Sequence, residues 1–87
     1  MSKAVDTLRH VSAIVAAIAD RPVEEITTRS RLVEDLDLDS LQVVEIAVRA
    51  EEEIGMPVDD ALLTEPEMTV EQCAQVVNEA AAQKALT

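Results

Sequence analysis

Apolar residues in this chain return at intervals of three and four, the period of a helix buried along one face. From Lys3 to Ala19 this spacing puts Val5, Leu8, Val11, Ile14, Val15 and Ile18 on one side and predicts a first helix. Asp20-Arg21-Pro22 ends it, because proline disfavours helical geometry in the residue before it. The stretch from Pro22 to about Asp39 is long for so small a protein, which points to function or to local structure of its own. Val23, Ile26, Leu32, Val33 and Leu36 punctuate it and are expected to pin it to the core.

A second helix is predicted to start at Asp39 or Ser40 and to stop before Gly55. Asp39 can accept from the free N–H groups of the first turn, and Gly55 can take the left-handed conformation that closes a helix. This helix has two apolar stripes. Val43, Ile46, Ala47, Ala50 and Ile54 make a core-facing seam, while Leu41, Val44 and Val48 lie beside Glu45, Glu51 and Glu52. One seam anchors a helix, so the extra stripe is a candidate docking surface, apolar in the middle and acidic at its rim.

Beyond Gly55, Met56-Pro57-Val58 reads as extended and Asp59 to Leu63 as a short helical turn, and Pro66 breaks the next stretch. Thr69 and Gln72 form a capping-box pattern that opens a last helix running to about Lys84. Its expected buried face carries Val70, Cys73, Val76, Val77, Ala80 and Ala81. The pattern therefore predicts an all-α fold, a four-helix bundle of three main helices plus one short one. No repeat or linker divides residues 1–87, so a single domain with one core is expected.

Composition narrows the function. The chain is 48% hydrophobic and has no Phe, Tyr or Trp, so its core must be aliphatic, with Met56 and Met68 as packing residues. A net charge of −11 repels nucleic acid and anionic membrane alike, and basic protein surfaces are its complement. A single Cys73 excludes an internal disulfide and reads as core filler, and one histidine leaves most zinc spacings unavailable. No stretch is long and apolar enough to span a membrane and no signal-peptide pattern is present, so a cytoplasmic location is expected.

The candidate chemistry sits at Asp39-Ser40-Leu41, where an acidic loop turns into the second helix. A serine hydroxyl there lies at the positive end of a helix dipole and suits a phosphate-linked group. A lone D-S-L tripeptide would more often be a plain helix start. Here the long apolar-punctuated loop before it and the two-striped acidic helix after it favour a functional serine.

At Asp35-Leu36-Asp37-Leu38-Asp39-Ser40-Leu41, followed by Val43-Val44-Glu45-Ile46, the chain resembles the acyl carrier proteins. The resemblance extends from the first helix to the last. It implies that Ser40 bears a covalent 4′-phosphopantetheine arm, flanked by Asp39 and Leu41, and that a phosphopantetheinyl transferase attaches it. It further implies a free-standing, monomeric, non-catalytic carrier that presents thioester-linked acyl groups to ketosynthases, acyltransferases and other fatty acid or polyketide synthase enzymes. Basic docking surfaces on those enzymes would read Val44, Glu45 and Val48, with Gln42, Glu51 and Glu52 as further contacts. In the family the bundle interior can also admit an acyl chain. Many members have glycine where this chain has Asp37, and the family's usual I-P-D appears here as Val58-Asp59-Asp60 after Pro57.

Three other readings compete. An aminoacyl or peptidyl carrier lies within the same class, though those more often show glycines and histidine before the serine. An unmodified acidic adaptor bundle would bind a basic partner without any arm. A calcium-responsive protein is suggested by alternating Asp35, Asp37 and Asp39, which mimic the start of an EF-hand loop. The sixth loop position is Ser40 instead of glycine and the twelfth is Ile46 instead of glutamate, so no metal site is expected. His10 is expected on the surface, with no catalytic role.

Overall fold

The computed structural model describes residues 3–86, and side chains from 6 to 83. In chain order it has α1 (Lys3–Ala19), a 3₁₀ turn (Val23–Glu25), α2 (Ser40–Ile54), α3 (Asp60–Leu63) and α4 (Val70–Leu86). The four helices agree with the all-α architecture expected from the spacing. Helix α1 packs against both α2 and α4, and the short α3 packs against α2.

The core is aliphatic. Val11, Val15, Leu32, Val43, Ile46, Leu63, Val70 and Cys73 are essentially inaccessible, and Leu36, Leu38, Val58 and Val77 close the space around them. No polar or charged residue is buried among the described residues. Burial of each such side chain contributes about 1.5–3 kcal/mol. The seam predicted on α2 is the buried one, with Ile54 half-buried at its end. On α1, Leu8 and Ile18 are half-buried against the core, while Val5 lies outside the described side chains.

Helix ends follow the polar residues at each junction. Asp20 takes a left-handed φ of 57°, its N–H donates to Ala17 O and the Arg21 N–H to Ala16 O, the paired bonds of a Schellman ending. So α1 is closed by Asp20, ahead of the proline thought to stop it. Gly55 (φ 70°) closes α2 as expected. Asp59 caps α3 through the Ala61 N–H, and Thr69 and Gln72 exchange the bonds of a capping box at α4.

The long connection is ordered by its apolar residues and by main-chain bonds to α4. Leu32 N–H donates to Met68 O, Val70 N–H to Ser30 O and Glu71 N–H to Thr28 O, around a bridge between Arg31 and Thr69. Leu32, Leu36 and Leu38 are buried, and Ile26 and Val33 pack on the core. Val23 corrects the expectation: it is 46% exposed, because its 3₁₀ turn lies on the surface and buries none of its residues.

Candidate functional site at the start of the second helix

The segment ahead of Ser40 is built around Arg31. Its carbonyl accepts from the Asp35 and Leu36 N–H groups, and its own N–H donates to Asp35 Oδ2 at 2.8 Å. The guanidinium reaches Asp35 Oδ2 at 3.4 Å and Glu34 Oε2 at 3.2 Å. The Arg31 backbone N–H holds the Asp35 carboxyl below its ordinary value, against a desolvation effect that raises it, with the guanidinium adding to the lowering. One guanidinium thus offsets part of the charge of two acids of the loop. Asp37 then adopts a left-handed φ of 56°, which turns the chain so that buried Leu38 and capping Asp39 come next in order.

Asp39 caps α2 reciprocally with Gln42. Asp39 Oδ1 accepts the Gln42 N–H at 2.8 Å, and Gln42 Oε1 accepts the Asp39 N–H at 3.0 Å. The Val43 N–H donates to Asp39 O, so in this turn the N–H groups left without a protein acceptor among the described residues are those of Ser40 and Leu41. Ser40 is exposed, and Leu41 beside it is 79% exposed. An open hydroxyl next to two unpaired N–H donors, at the positive end of a fifteen-residue helix, fits a phosphodiester.

Down the outer face of α2, Leu41, Glu45, Val48 and Glu52 follow one another at successive turns, all exposed, with half-buried Val44 alongside. Glu45 pairs with Arg49 at 3.2 Å, one turn on. Two of the residues expected on this surface are committed elsewhere. Glu51 is half-buried and its Oε2 accepts the Val58 N–H at 2.8 Å, tying α2 to the approach to α3. Gln42 is half-buried in the capping box, and its Nε2 also donates to Ile18 O at 3.4 Å.

The three alternating aspartates do not converge. Asp35 faces Arg31 and Asp39 faces the Gln42 N–H, and among the described residues no group of three or more His, Cys, Asp or Glu could hold a metal ion. Cys73 is fully buried and burial pushes its thiol up to about 12, which keeps it protonated and inert. His10 is exposed, with Nδ1 2.8 Å from Glu53 Oε2. A groove of about 490 Å³ lies between α1, α2 and α4, floored by Val11, Ile14, Ala50, Ile54 and Val77. Glu53 on its rim is thirteen residues along α2 from Ser40, about 20 Å at 1.5 Å per residue, so the groove is at the opposite end of the helix.

A family model described as a phosphopantetheine attachment site matches residues 9–77. The chain belongs to the acyl carrier protein family. An acyl carrier protein of Rickettsia bellii (strain RML369-C) is 37% identical over 78 residues, 90% of this chain and 86% of that relative. One from Thermobifida fusca (strain YX) is 40% identical over 55 residues, 63% of this chain and 70% of the relative. The polyketide-8 synthase acyl carrier protein 2 of Streptomyces avermitilis is 45% identical over 51 residues, 59% of each chain. Acyl carrier proteins are non-catalytic carriers whose cofactor is 4′-phosphopantetheine, and this chain shares that role and that cofactor. Among the described residues, no helix is long and apolar enough to cross a membrane.

Sequence reading missed two features of this helix start. The Asp39–Gln42 box has the same spacing as the Thr69–Gln72 box, so the signal was present at both helix starts and was taken at only one. The glycine that many carriers hold at the Asp37 position likewise signals a left-handed residue.

Proposed function

We propose that Ser40 carries the phosphopantetheine arm and that the chain presents acyl groups to enzymes of fatty acid or polyketide assembly. The observation that supports this most is the exposed Ser40 hydroxyl beside the unpaired Ser40 and Leu41 N–H groups, within the stretch matched by the attachment-site family. When bound, the arm supplies a terminal thiol that holds acyl cargo as a thioester.

The chain's own residues account for the rest. Ser40 Oγ attacks a phosphorus of coenzyme A; the Oγ–P bond forms as the P–O bond to the adenosine bisphosphate leaving group breaks, and the hydroxyl proton passes to the transferase. Asp39 and Gln42 hold the first turn of α2 while this happens, and the Ser40 and Leu41 N–H groups face the incoming phosphate. Leu41, Val44 and Val48 offer an apolar ridge, and Glu45 and Glu52 an acidic rim that steers basic enzymes and lets them leave again. A net charge of −11 disfavours self-association, which suits a monomer, and a coenzyme A donor places the work in the cytoplasm.

Incubation with coenzyme A and a broad-specificity phosphopantetheinyl transferase tests the assignment. Intact mass should rise by one arm per chain, and Ser40→Ala should abolish the gain. A wild-type chain left unmodified while a control carrier is loaded would overturn it. Charge reversal at Glu45 should slow transfer at low salt with the fold intact; unchanged kinetics would remove the electrostatic part.

A further inference from the structure

Four carbonyls at the end of α1 have no partner within the helix, as in every α-helix. Ala16 O and Ala17 O are satisfied by the Arg21 and Asp20 N–H groups, at 3.0 and 3.3 Å. Ile18 O is reached by the side chain of Gln42, whose Nε2 donates to it at 3.4 Å from the next long helix. The other end of the same amide, Oε1, accepts the Asp39 N–H at 3.0 Å. One side chain therefore serves a helix end on each side, an unpaired carbonyl of α1 and the capping residue of α2. Ser40 lies between Asp39 and Gln42, so its backbone is fixed relative to α1 through this amide.

We propose that Gln42 is a positioning residue for modification of Ser40, acting by clasping α1 to the first turn of α2 and not by touching a partner. This rests on the assignment of Ser40 as the attachment site. Its side chain was a candidate docking contact in the sequence, and the half-buried amide with both ends engaged is what redirects the role. Holding the hydroxyl in place matters because attack on phosphorus needs alignment, and small displacements from productive geometry are costly in rate.

Two variants separate positioning from docking because one is neutral and the other adds a negative charge. Gln42→Met keeps length but cannot donate and accepts only weakly through its thioether sulfur. Gln42→Glu keeps the acceptor for the Asp39 N–H, loses the donor to Ile18 O and adds a negative charge. A docking contact read by a basic enzyme would be improved by that charge, most of all at low salt. Positioning predicts the reverse.

The experiment measures transferase loading from coenzyme A (kcat and KM at low and moderate salt) and amide hydrogen exchange at Asp39, a readout that needs no arm. For Gln42→Met we expect kcat for loading to fall about tenfold with KM little changed, and Asp39 exchange to rise by a similar factor. For Gln42→Glu we expect Asp39 to remain protected, the helix signal to remain intact and kcat to fall about threefold at either salt concentration. Faster loading of Gln42→Glu at low salt through a lower KM would overturn the proposal in favour of docking. Wild-type kcat and wild-type Asp39 exchange in Gln42→Met would overturn it outright. Failure of the wild-type chain to load at all would instead sink the Ser40 assignment, and the positioning role with it.

Discussion

Replacing Asp37 tests the geometry of the loop that leads to Ser40. Asp37 has φ 56°, the left-handed region, which costs an ordinary L-residue about 1–2 kcal/mol and aspartate somewhat less. Glycine is free of that cost but loses about 0.5–1 kcal/mol through the greater entropy of its unfolded chain. Alanine has the steric cost and lacks the short polar side chain that helps aspartate tolerate the conformation. Asp37→Gly, Asp37→Asn and Asp37→Ala remove the same negative charge, so electrostatic changes cancel when the three are compared with one another. The expected order of stability is Gly at or above Asn, and both above Ala. The Gly and Ala variants should differ by about 1 kcal/mol, or about 4–8 °C in Tm for a chain of this size. Urea unfolding followed by far-UV circular dichroism measures it, with equal m-values as the check that the unfolding transition is unchanged. An Ala variant as stable as the Gly variant would show that residue 37 is not left-handed in solution, and the account of this loop would fail.

Other expectations concern the same frame. The Asp35 carboxyl should titrate below the ordinary aspartate range by NMR; because the Arg31 backbone N–H is the main cause, Arg31→Ala should leave most of that lowering in place. The sign comes from the lowered value: Asp35 stabilises the fold above its unfolded pKa and loses that contribution as pH falls through the folded one. Cys73, raised from 9.0 to about 12 by burial, should resist alkylation in the native state and react on unfolding, and its contribution to stability should decline as pH rises from about 9 to about 12. Glu51→Ala should destabilise by about 1–2 kcal/mol through loss of a charged acceptor for the Val58 N–H, with Glu51→Gln recovering most of it in the same urea assay. Equal stability of Glu51→Ala and the wild type would return Glu51 to the docking surface.

Most of the architecture was legible in the sequence because it is carried by local signals. The three-and-four spacing marked α1, α2 and α4, Gly55 marked the end of α2, and Thr69 with Gln72 marked the start of α4. The exposure of Leu41 and Val48 was legible for a related reason: one apolar stripe sufficed for the core, so the second stood out. Two features that escaped were local, the Asp39–Gln42 box and the turn at Asp37, and the others were non-local. Nothing in the spacing says that Leu32 would bond to Met68, that Val23 would be left on the surface, or that Gln42 would reach Ile18. Those outcomes depend on which segments meet after packing, and a side chain such as Gln42 or Glu51 can serve solvent or backbone equally well until they do.

The stitching of the loop to the head of α4 has a consequence for the order in which the protein is made. Leu32 and Ser30 find their main-chain partners at Met68 and Val70, far downstream of the serine they precede. On the ribosome, α2 can coil while Ser30 and Leu32 still lack these partners, and the segment has only its own internal bonds around Arg31. An enzyme that requires the ordered segment would therefore pass over chains that end before the head of α4.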